Sequence, residues 1–494
     1  MEFPSQSDFS VSFTQKGAPM HRRHFLAVAG LAAMKPSLRS AAPDEKFDDI
    51  ARLVESKMKE HHVPGVALGI FKNSEMTTRG FGVTNTDDPK PVTPDTVFTI
   101  ASISKTFTAT ALVRLEQQGK VELKAPVRRY LTDFRVQDDA ASRDVTVLHL
   151  LTHTPGWEGQ LTGEDRGIDS LNYFTTGLKD LPQLATPGSV WSYNNAGFGV
   201  AGRVIEVITG KNIHDAFRDL VVTPVGLTRT FTRLTDVAAY RFTMGHRQQG
   251  DATQVIRPIQ STSSVPAGGF STTITDLLSY ARFHLSDGIG ADGNEVVARA
   301  RLELMRQPQF PKNSTGDHMG IGWHIRPVGG IQTFAHGGTL NGHCLLVQLV
   351  PARNLAFSIL TNHTDGWRLV QDVERAILKN YEGVSLTPNQ AIGHRGVNEA
   401  MNGHSTPLAK QPDLEAYVGR YQRPPNGTVE VRAENGQLVA RTGGQNGTTM
   451  TFYGPDIAYA IQGAYTGSPY EFVRRPDGKV GWIRINGRIA KKDS

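Results

Sequence analysis

The sequence predicts an α+β protein with a largely antiparallel sheet flanked by helices and a small all-β domain after it. Two observations support the first part: apolar runs form hairpins near both ends of residues 46–382, and helical patterns lie between them. The small all-β domain is predicted from a third observation. The stretches TVEVRAENGQLVAR and EFVRRPDGKVGWIRI are typical of hairpins with Asn-Gly and Asp-Gly turns. The boundaries predicted from these patterns are 43–382 for the large domain, 383–412 for a polar linker and 413–494 for the β domain.

Composition narrows the class of protein. The 494 residues suffice for one large and one small domain, and 38% hydrophobic and 20% charged residues are ordinary for a soluble enzyme. Residues 1–42 hold five basic and two acidic side chains, hence half of the formal charge of +6. The remainder has no basic stripe, so nucleic-acid binding is not expected. The single cysteine, Cys344, excludes an internal disulfide.

The N-terminal stretch predicts export. Arg22 and Arg23 precede the apolar run 25–34, and small residues follow at 40–42. This order is typical of a twin-arginine signal, which predicts a leader over residues 1–42 and a periplasmic or secreted protein. The run is too short to span a membrane as a helix, so no integral membrane segment is predicted. A disordered cytoplasmic tail that happens to carry Arg-Arg is the alternative.

The first elements of the large domain are a helix, a hairpin and a second helix. Residues 46–61 predict a surface helix, and apolar runs at 65–71 and 76–82 around the polar turn KNSE predict a hairpin. Residues 98–119 then predict a strand-like lead-in, a turn and a long helix that ends at Gly119.

Two S-x-x-K patterns occur in these helices. Ser102 lies where the second helix begins, and Lys105 follows one turn later on the same face. A serine there can attack a carbonyl, and a partly desolvated amine one turn away can accept its proton. Ser56 and Lys59 repeat the spacing among charged neighbours, which indicates a solvated helix face. Ser102, in an apolar context, is therefore the candidate nucleophile.

Two histidines with a spacing found in some metal sites occur in the next stretch. Residues 145–156 predict a short helix stopped by Pro155 and Gly156, with His149 and His153 at i and i+4. The stretch has no HExxH arrangement and no evident third ligand, so capping or packing histidines are predicted and no metal is expected. Residues 157–190 predict an irregular loop that would suit a position over a site.

The rest of the large domain alternates helices and strands. Tyr193 and Asn195 lie in a turn that leads into a helix ending near Gly210. The later elements are a PAGG turn and helix at 264–287, a glycine-rich stretch at 334–342, strands at 344–350 and 355–362, and a closing helix at 367–381.

Three motifs carry a resemblance to a known family. Ser102 and Lys105, Tyr193 and Asn195, and the triplet that begins at His336 with Gly337 and Gly338 stand in the order of the active-site motifs of the class C beta-lactamase-like serine hydrolases. Penicillin-binding DD-peptidases, D-aminopeptidases and esterases belong to that family. The resemblance spans residues 46–382 and includes the phrases LLTHTPG, WSYNNAGFGVAG and GIGW. It implies a beta-lactamase/transpeptidase-like sheet, and the C-terminal domain resembles the lipocalin-like domains of some relatives.

The resemblance also implies roles for the motif residues. Ser102 would be the nucleophile that forms an acyl-enzyme, with Lys105 and Tyr193 as the two candidates for its general base. Asn195 would orient Lys105 or the amide of the substrate. The backbone N–H groups of Ser102 and Thr339 would form the oxyanion hole. Gly337 and Gly338 would let the backbone of their strand approach closely.

His336 departs from the family pattern. Beta-lactamases and DD-peptidases usually have lysine there, in K-T-G, and a fixed cation suits a substrate carboxylate. Histidine would be neutral near pH 7, with a reference pKa of about 6.5 against about 10.4 for lysine. This departure favours small esters, amides or D-amino-acid peptides as substrates over beta-lactam antibiotics. The resemblance implies no cofactor.

Two alternatives remain. One is a beta-lactamase or DD-peptidase proper, and the other is a non-catalytic, penicillin-sensor-like binding protein. The C-terminal domain could gate the cleft or support a homo-oligomer.

Overall fold

The structure is a computed structural model that describes residues 44–160, 165–250, 252–313, 316–386, 406–443, 447–463 and 466–493. The predicted leader over residues 1–42 and most of the predicted linker lie outside these residues.

In the larger part of the chain, the described residues form these strands: β1 (Gly65–Lys72), β2 (Glu75–Gly82), β3 (Val97–Thr99), β4 (Thr230–Phe231), β5 (Gly245–Gln249), β6 (Ala252–Ile256), β7 (Ser271–Thr273), β8 (Phe310–Pro311), β9 (His318–Met319), β10 (His324–Val328), β11 (Ile331–Leu340), β12 (His343–Val350) and β13 (Leu355–Thr361).

The α-helices of the same part are α1 (Glu45–Glu60), α2 (Ser104–Gln117), α3 (Asp139–Asp144), α4 (Val147–Leu151), α5 (Ser170–Thr176), α6 (Asn195–Thr209), α7 (Ile213–Phe217), α8 (Thr223–Val225), α9 (Leu234–Val237), α10 (Val265–Gly268), α11 (Ile274–Leu285), α12 (Arg299–Met305) and α13 (Gly366–Glu382).

An eight-stranded antiparallel sheet organises this part, in the order β2-β1-β13-β12-β11-β10-β9-β8. Strand β12 is buried along its whole length because helices cover both faces of the sheet. Leu346 and Val350 pack in the cluster with α1 and α13, whereas Leu345 and Leu349 pack in the larger cluster with α2, α6 and α11. The predicted antiparallel sheet flanked by helices is confirmed.

Helix α1 lies on the surface, as predicted, and buries one face: Phe47, Ile50 and Val54 pack in the cluster that contains α13. One local prediction needs correction. Residues 157–190 were expected to be irregular, but they contain the short helix α5, whose Leu171 and Phe174 are buried.

The C-terminal part is a closed antiparallel barrel of eight strands: β14 (Gly419–Gln422), β15 (Thr428–Glu434), β16 (Gln437–Thr442), β17 (Thr448–Gly454), β18 (Ile457–Gln462), β19 (Pro469–Arg474), β20 (Val480–Ile485) and β21 (Arg488–Lys492). Closure leaves no unpaired strand edge. Tyr421, Val431, Phe452 and Ile483 fill its interior, which confirms the predicted small all-β domain.

The barrel packs against the loops that precede α6. Trp482 donates its indole N–H to the carbonyl of Leu184 at 2.8 Å, and the Ile489 N–H reaches the Ser192 hydroxyl at 3.2 Å. An apolar cluster that includes Val190 seals the same contact. The last hairpin of the barrel, β20–β21, therefore lies beside the turn that carries Tyr193.

Candidate active site

Ser102 lies in a single 3₁₀ turn, Ala101–Ile103, directly before α2. Ala101 has a φ of 48°, in the left-handed region that is costly for a residue with a side chain. Ser104 holds the turn in place, since its hydroxyl donates to the Ala101 carbonyl at 2.6 Å and accepts from the Phe270 N–H at 3.0 Å. The neighbouring structure thus presents Ser102 on a constrained turn.

Lys105 follows one helical turn later and is fully buried. Its Nζ lies 3.0 Å from the Ser102 Oγ and 2.6 Å from the Ala267 carbonyl, which accepts one of its protons. Burial and, second, the positive charge of Arg488 lower the pKa of Lys105 well below its ordinary value. A neutral amine at this position can take the hydroxyl proton of Ser102.

Tyr193 completes the group around the serine. Its hydroxyl lies near enough to Ser102 for that side chain to act on its pKa, and its ring centre lies 4.9 Å from the Lys105 Nζ. Burial raises the pKa of Tyr193 to about 12, against the opposing effects of Ser102 and of Arg488. The opposite directions of the two pKa shifts favour a resting pair in which Tyr193 keeps its proton and Lys105 is the acceptor.

His336 lies on β11 and faces the same space, with its ring 6.4 Å from that of Tyr193. Its Nδ1–H donates to the Gly337 carbonyl at 2.7 Å, and its Nε2 is buried without a hydrogen-bond partner among the described residues. Burial and the charge of Lys105 lower the pKa of His336 to about 3. The imidazole is therefore neutral at any ordinary assay pH.

Asn195 is the first residue of α6. Its backbone N–H donates to the Gly159 carbonyl at 2.9 Å, and its side-chain Oδ1 is buried with no partner within the described parts of the chain. Among the described residues, the Nζ of Lys105 bonds to the Ser102 hydroxyl and the Ala267 carbonyl, not to Asn195. Of the two roles predicted for Asn195, the geometry therefore favours contact with an N–H of the substrate.

Gly338 brings strand β11 against the serine turn. Strand β10 pairs only with residues 331–335, so residues 336–340 are bonded to β12 alone. A Cβ on Gly338 would lie 2.5 Å from the Ile100 carbonyl and 3.1 Å from the Ala101 Cβ, closer than a side chain allows. Thr339 follows, and its hydroxyl accepts from the Trp367 indole at 2.7 Å. This approach places the backbone around Thr339 beside Ser102.

The structure adds residues that the motifs did not indicate. His153 packs against Tyr193 with ring centres 4.4 Å apart, and the ring centre of His324 lies 5.0 Å from that of His336. Burial lowers the pKa of both added histidines well below its ordinary value, so they are neutral as well. The phrases LLTHTPG and GIGWH contain these two residues, but a histidine in an apolar context carries no local signal of which site it joins.

His149 and His153 have separate structural roles. The Nδ1 of His149 accepts from the Thr146 N–H at 3.2 Å in a capping box at the start of α4, as the capping interpretation predicts. No group of three histidine, cysteine or acidic side chains suited to a metal ion occurs among the described residues.

In the same residues, no helix combines the length and apolar character needed to cross a bilayer.

Three side chains define a candidate site for acyl transfer to serine: a constrained serine, a buried lysine 3.0 Å away, and a tyrosine whose ring lies 4.9 Å from that lysine. Comparison with known proteins gives the family. The chain belongs to the beta-lactamase family, whose model matches residues 50–381. Members of this family are serine hydrolases, and the resemblance carried by the three motifs is confirmed at this level.

Individual relatives agree with the family. Penicillin-binding protein 4 of Amycolatopsis lactamdurans is 32% identical over 335 residues, which cover 66% of this chain and 88% of that protein. The crystal structure of SurE matches with a TM-score of 0.76 at 23% identity and covers 92% of this chain and 100% of its own. A class C beta-lactamase from Rhodobacter sphaeroides matches with a TM-score of 0.57 at 23% identity, over 67% of this chain and 99% of its own. The two structures support the fold.

Proposed function

We propose that this protein is a serine hydrolase that cleaves an ester or amide bond through an acyl-serine intermediate, as an esterase or a D-peptidase-like enzyme does. The observation that carries the proposal is the 3.0 Å contact between the Ser102 Oγ and the Nζ of a fully buried Lys105. Burial without a carboxylate partner is what makes a lysine a proton acceptor near neutral pH.

The proposed reaction has two stages. The Ser102 Oγ attacks the carbonyl carbon of the substrate while its proton passes to Lys105, directly or through Tyr193. Negative charge on the carbonyl oxygen is stabilised by the backbone N–H groups of Ser102 and Thr339. The leaving group departs with the proton, and water then attacks the acyl-serine by the same route and releases the acid. Asn195 accepts a hydrogen bond from an N–H of the substrate when one is present.

The neutral His336 supports ester, amide or D-amino-acid peptide substrates. A carboxylate-bearing substrate would find an uncharged imidazole where a fixed cation would bind it better.

The second candidate function is that of a beta-lactamase or penicillin-binding DD-peptidase, and the 32% identity to a protein named penicillin-binding protein 4 favours it. One panel separates the candidates: short p-nitrophenyl esters, D- and L-amino-acid anilides, and nitrocefin. Turnover of esters or anilides supports the main proposal, and turnover of nitrocefin or stable labelling by a fluorescent penicillin supports the second. Acylation without turnover of any compound would indicate the non-catalytic sensor.

His336→Lys is expected to change substrate preference. The lysine would add a fixed cation, so nitrocefin should bind better by about tenfold, and turnover of a neutral ester should fall. The wild-type acid limb above pH 4 should not belong to His336, because its pKa is about 3. The measurement is kcat/KM against pH for both proteins with both substrates. This role of His336 would be contradicted if the ratio of kcat/KM for nitrocefin to kcat/KM for the ester were the same in wild type and variant.

We also propose that the protein is exported through the leader over residues 1–42. Replacement of Arg22 and Arg23 with lysine is expected to leave the uncleaved precursor in the cytoplasm, because the paired arginines are what the export machinery recognises. The measurement is cell fractionation with an immunoblot for the precursor and mature forms. The matched control is Lys35→Arg, which changes a basic residue outside the pair. Normal processing of the double variant would contradict the proposal.

A further inference from the structure

The side chain of His336 points from strand β11 into the space around Ser102. His336 and Gly338 are two residues apart on one strand, so their side-chain directions lie on the same face of the sheet. That face meets the serine turn, since a Cβ on Gly338 would lie 3.1 Å from the Ala101 Cβ. His336 is 1% exposed, and its ring lies 6.4 Å from the Tyr193 ring, centre to centre. The imidazole therefore forms part of the wall of the site.

One nitrogen of this ring is fixed as a donor and the other as an acceptor. The Gly337 carbonyl can only accept, so the His336 Nδ1 that lies 2.7 Å from it carries a proton. A neutral imidazole has one N–H, hence its Nε2 holds a lone pair. The ring is neutral because burial and the charge of Lys105 lower the pKa of His336 to about 3. The Nε2 is thus a hydrogen-bond acceptor.

This acceptor is buried and has no partner among the described residues. Neither the Tyr193 hydroxyl nor the ring of His324, whose centre lies 5.0 Å from that of His336, forms a hydrogen bond with it. A buried acceptor without a donor is costly, and folded proteins rarely leave one unsatisfied. A donor that arrives with the substrate would satisfy it.

The position of Tyr193 indicates which part of the substrate carries this donor. In the proposed reaction, the proton of Ser102 passes to Lys105 or Tyr193 and is then given to the leaving group. The leaving atom must therefore lie beside these two side chains. Because His336 borders the same tyrosine, the leaving group extends along the part of the wall that holds the unpaired Nε2.

We propose that the His336 Nε2 accepts a hydrogen bond from the leaving group, and that the substrate is a peptide-like ester or amide whose leaving group carries an amide N–H. The inference rests on the proposed function, since it assumes acyl transfer to Ser102. A carboxylate has only acceptor oxygens and would face the lone pair of the imidazole. Leaving groups that end in a carboxylate are accordingly disfavoured, whereas those that continue as an amide are selected.

The test uses two esters that share one acyl group and differ in the leaving group. One leaving group is N-methylglycolamide, which carries an N–H, and the other is methyl glycolate, in which an oxygen replaces that N–H. The acyl-enzyme is the same for both, so a difference in kcat/KM arises before its hydrolysis. Wild type should prefer the N-methylglycolamide ester by about tenfold. Equal kcat/KM for the two esters in wild type would overturn the inference without any variant.

Two variants assign the preference to the imidazole. His336→Phe keeps a ring but removes the acceptor, so the ratio of the two kcat/KM values should fall to about one. His336→Gln keeps an oxygen that can accept and should restore part of the preference. A preference that is unchanged in His336→Phe would contradict the role of His336. If that variant does not fold, the wild-type ratio still decides.

The matched control is His318→Gln. The Nδ1 of His318 donates to the Gly316 carbonyl at 2.9 Å, which repeats the bond of His336, but His318 lies half-buried on β9. Its replacement should leave the ratio of the two esters as in wild type, and an equal loss in both histidine variants would overturn the inference.

Labelling of Ser102 by a serine-directed phosphonate separates this inference from the proposed function. A protein that is never labelled and hydrolyses neither ester contradicts the proposed function, and the inference fails with it. A labelled protein that hydrolyses both esters equally contradicts only the role of His336.

Discussion

Ser102→Ala is expected to lower kcat/KM for ester hydrolysis by at least about 10⁴-fold and to abolish covalent labelling by a serine-directed phosphonate. The expected loss is this large because the proposed reaction has no acyl-enzyme without the Oγ, and the remaining groups of such a site act as a unit. The alanine variant should fold normally, since only one hydroxyl is removed from a turn that Ser104 still holds. The measurements are steady-state kinetics and labelling followed by intact mass.

Ser56→Ala is the control for this variant, because Ser56 and Lys59 have the same S-x-x-K spacing on α1. Both residues are exposed, so this pair lies on the solvated face of the helix. The control should keep wild-type kinetics and labelling. Labelling that persists in Ser102→Ala, or that disappears in Ser56→Ala, would contradict the assignment of the nucleophile.

Gly338→Ala is expected to lower kcat/KM by about 10²-fold with little change in the ester KM. The new Cβ would lie 2.5 Å from the Ile100 carbonyl, so strand β11 must move away from the serine turn. A displacement of about 1 Å in a group that stabilises the transition state costs about this factor. The measurement is kcat and KM for the same ester, with the melting temperature recorded alongside.

Gly177→Ala supplies the comparison. Gly177 follows α5 with a φ of −70°, and a Cβ there would meet no atom within 4 Å. That variant should keep its activity and its melting temperature. If Gly338→Ala also kept full activity, the close approach of β11 to Ser102 would have no role in the reaction.

Most of the fold could be predicted because its signals are local. The turns at Asn435 and Asp477 mark hairpins, and the apolar runs of β12 and β13 are long enough to identify buried strands. The serine, lysine and tyrosine could be proposed because each lies in a short motif whose order along the chain matches the family.

The remaining site residues could not be predicted, and the reason is physical. Arg488 and His324 lie close to site residues that are distant in sequence, and nothing in their local sequence indicates this proximity. Arg488 begins an ordinary barrel strand, and its meaning depends on how β20–β21 packs against Tyr193. Long-range packing of this kind is settled by tertiary contacts, which periodicity and turn chemistry do not specify.

The backbone N–H of Tyr193 donates a hydrogen bond to the Gly487 carbonyl at 2.8 Å, and this contact has a consequence for the order of events during synthesis. Gly487 is 294 residues further along the chain than Tyr193. At about 5–20 residues per second, a ribosome reaches Gly487 about 15–60 s after it has passed the tyrosine. Throughout that interval the nascent chain holds Ser102, Lys105 and Tyr193 without the hairpin that seats the tyrosine. The site is therefore assembled late, and a chain whose translation stops before the last hairpin is released with an incomplete wall.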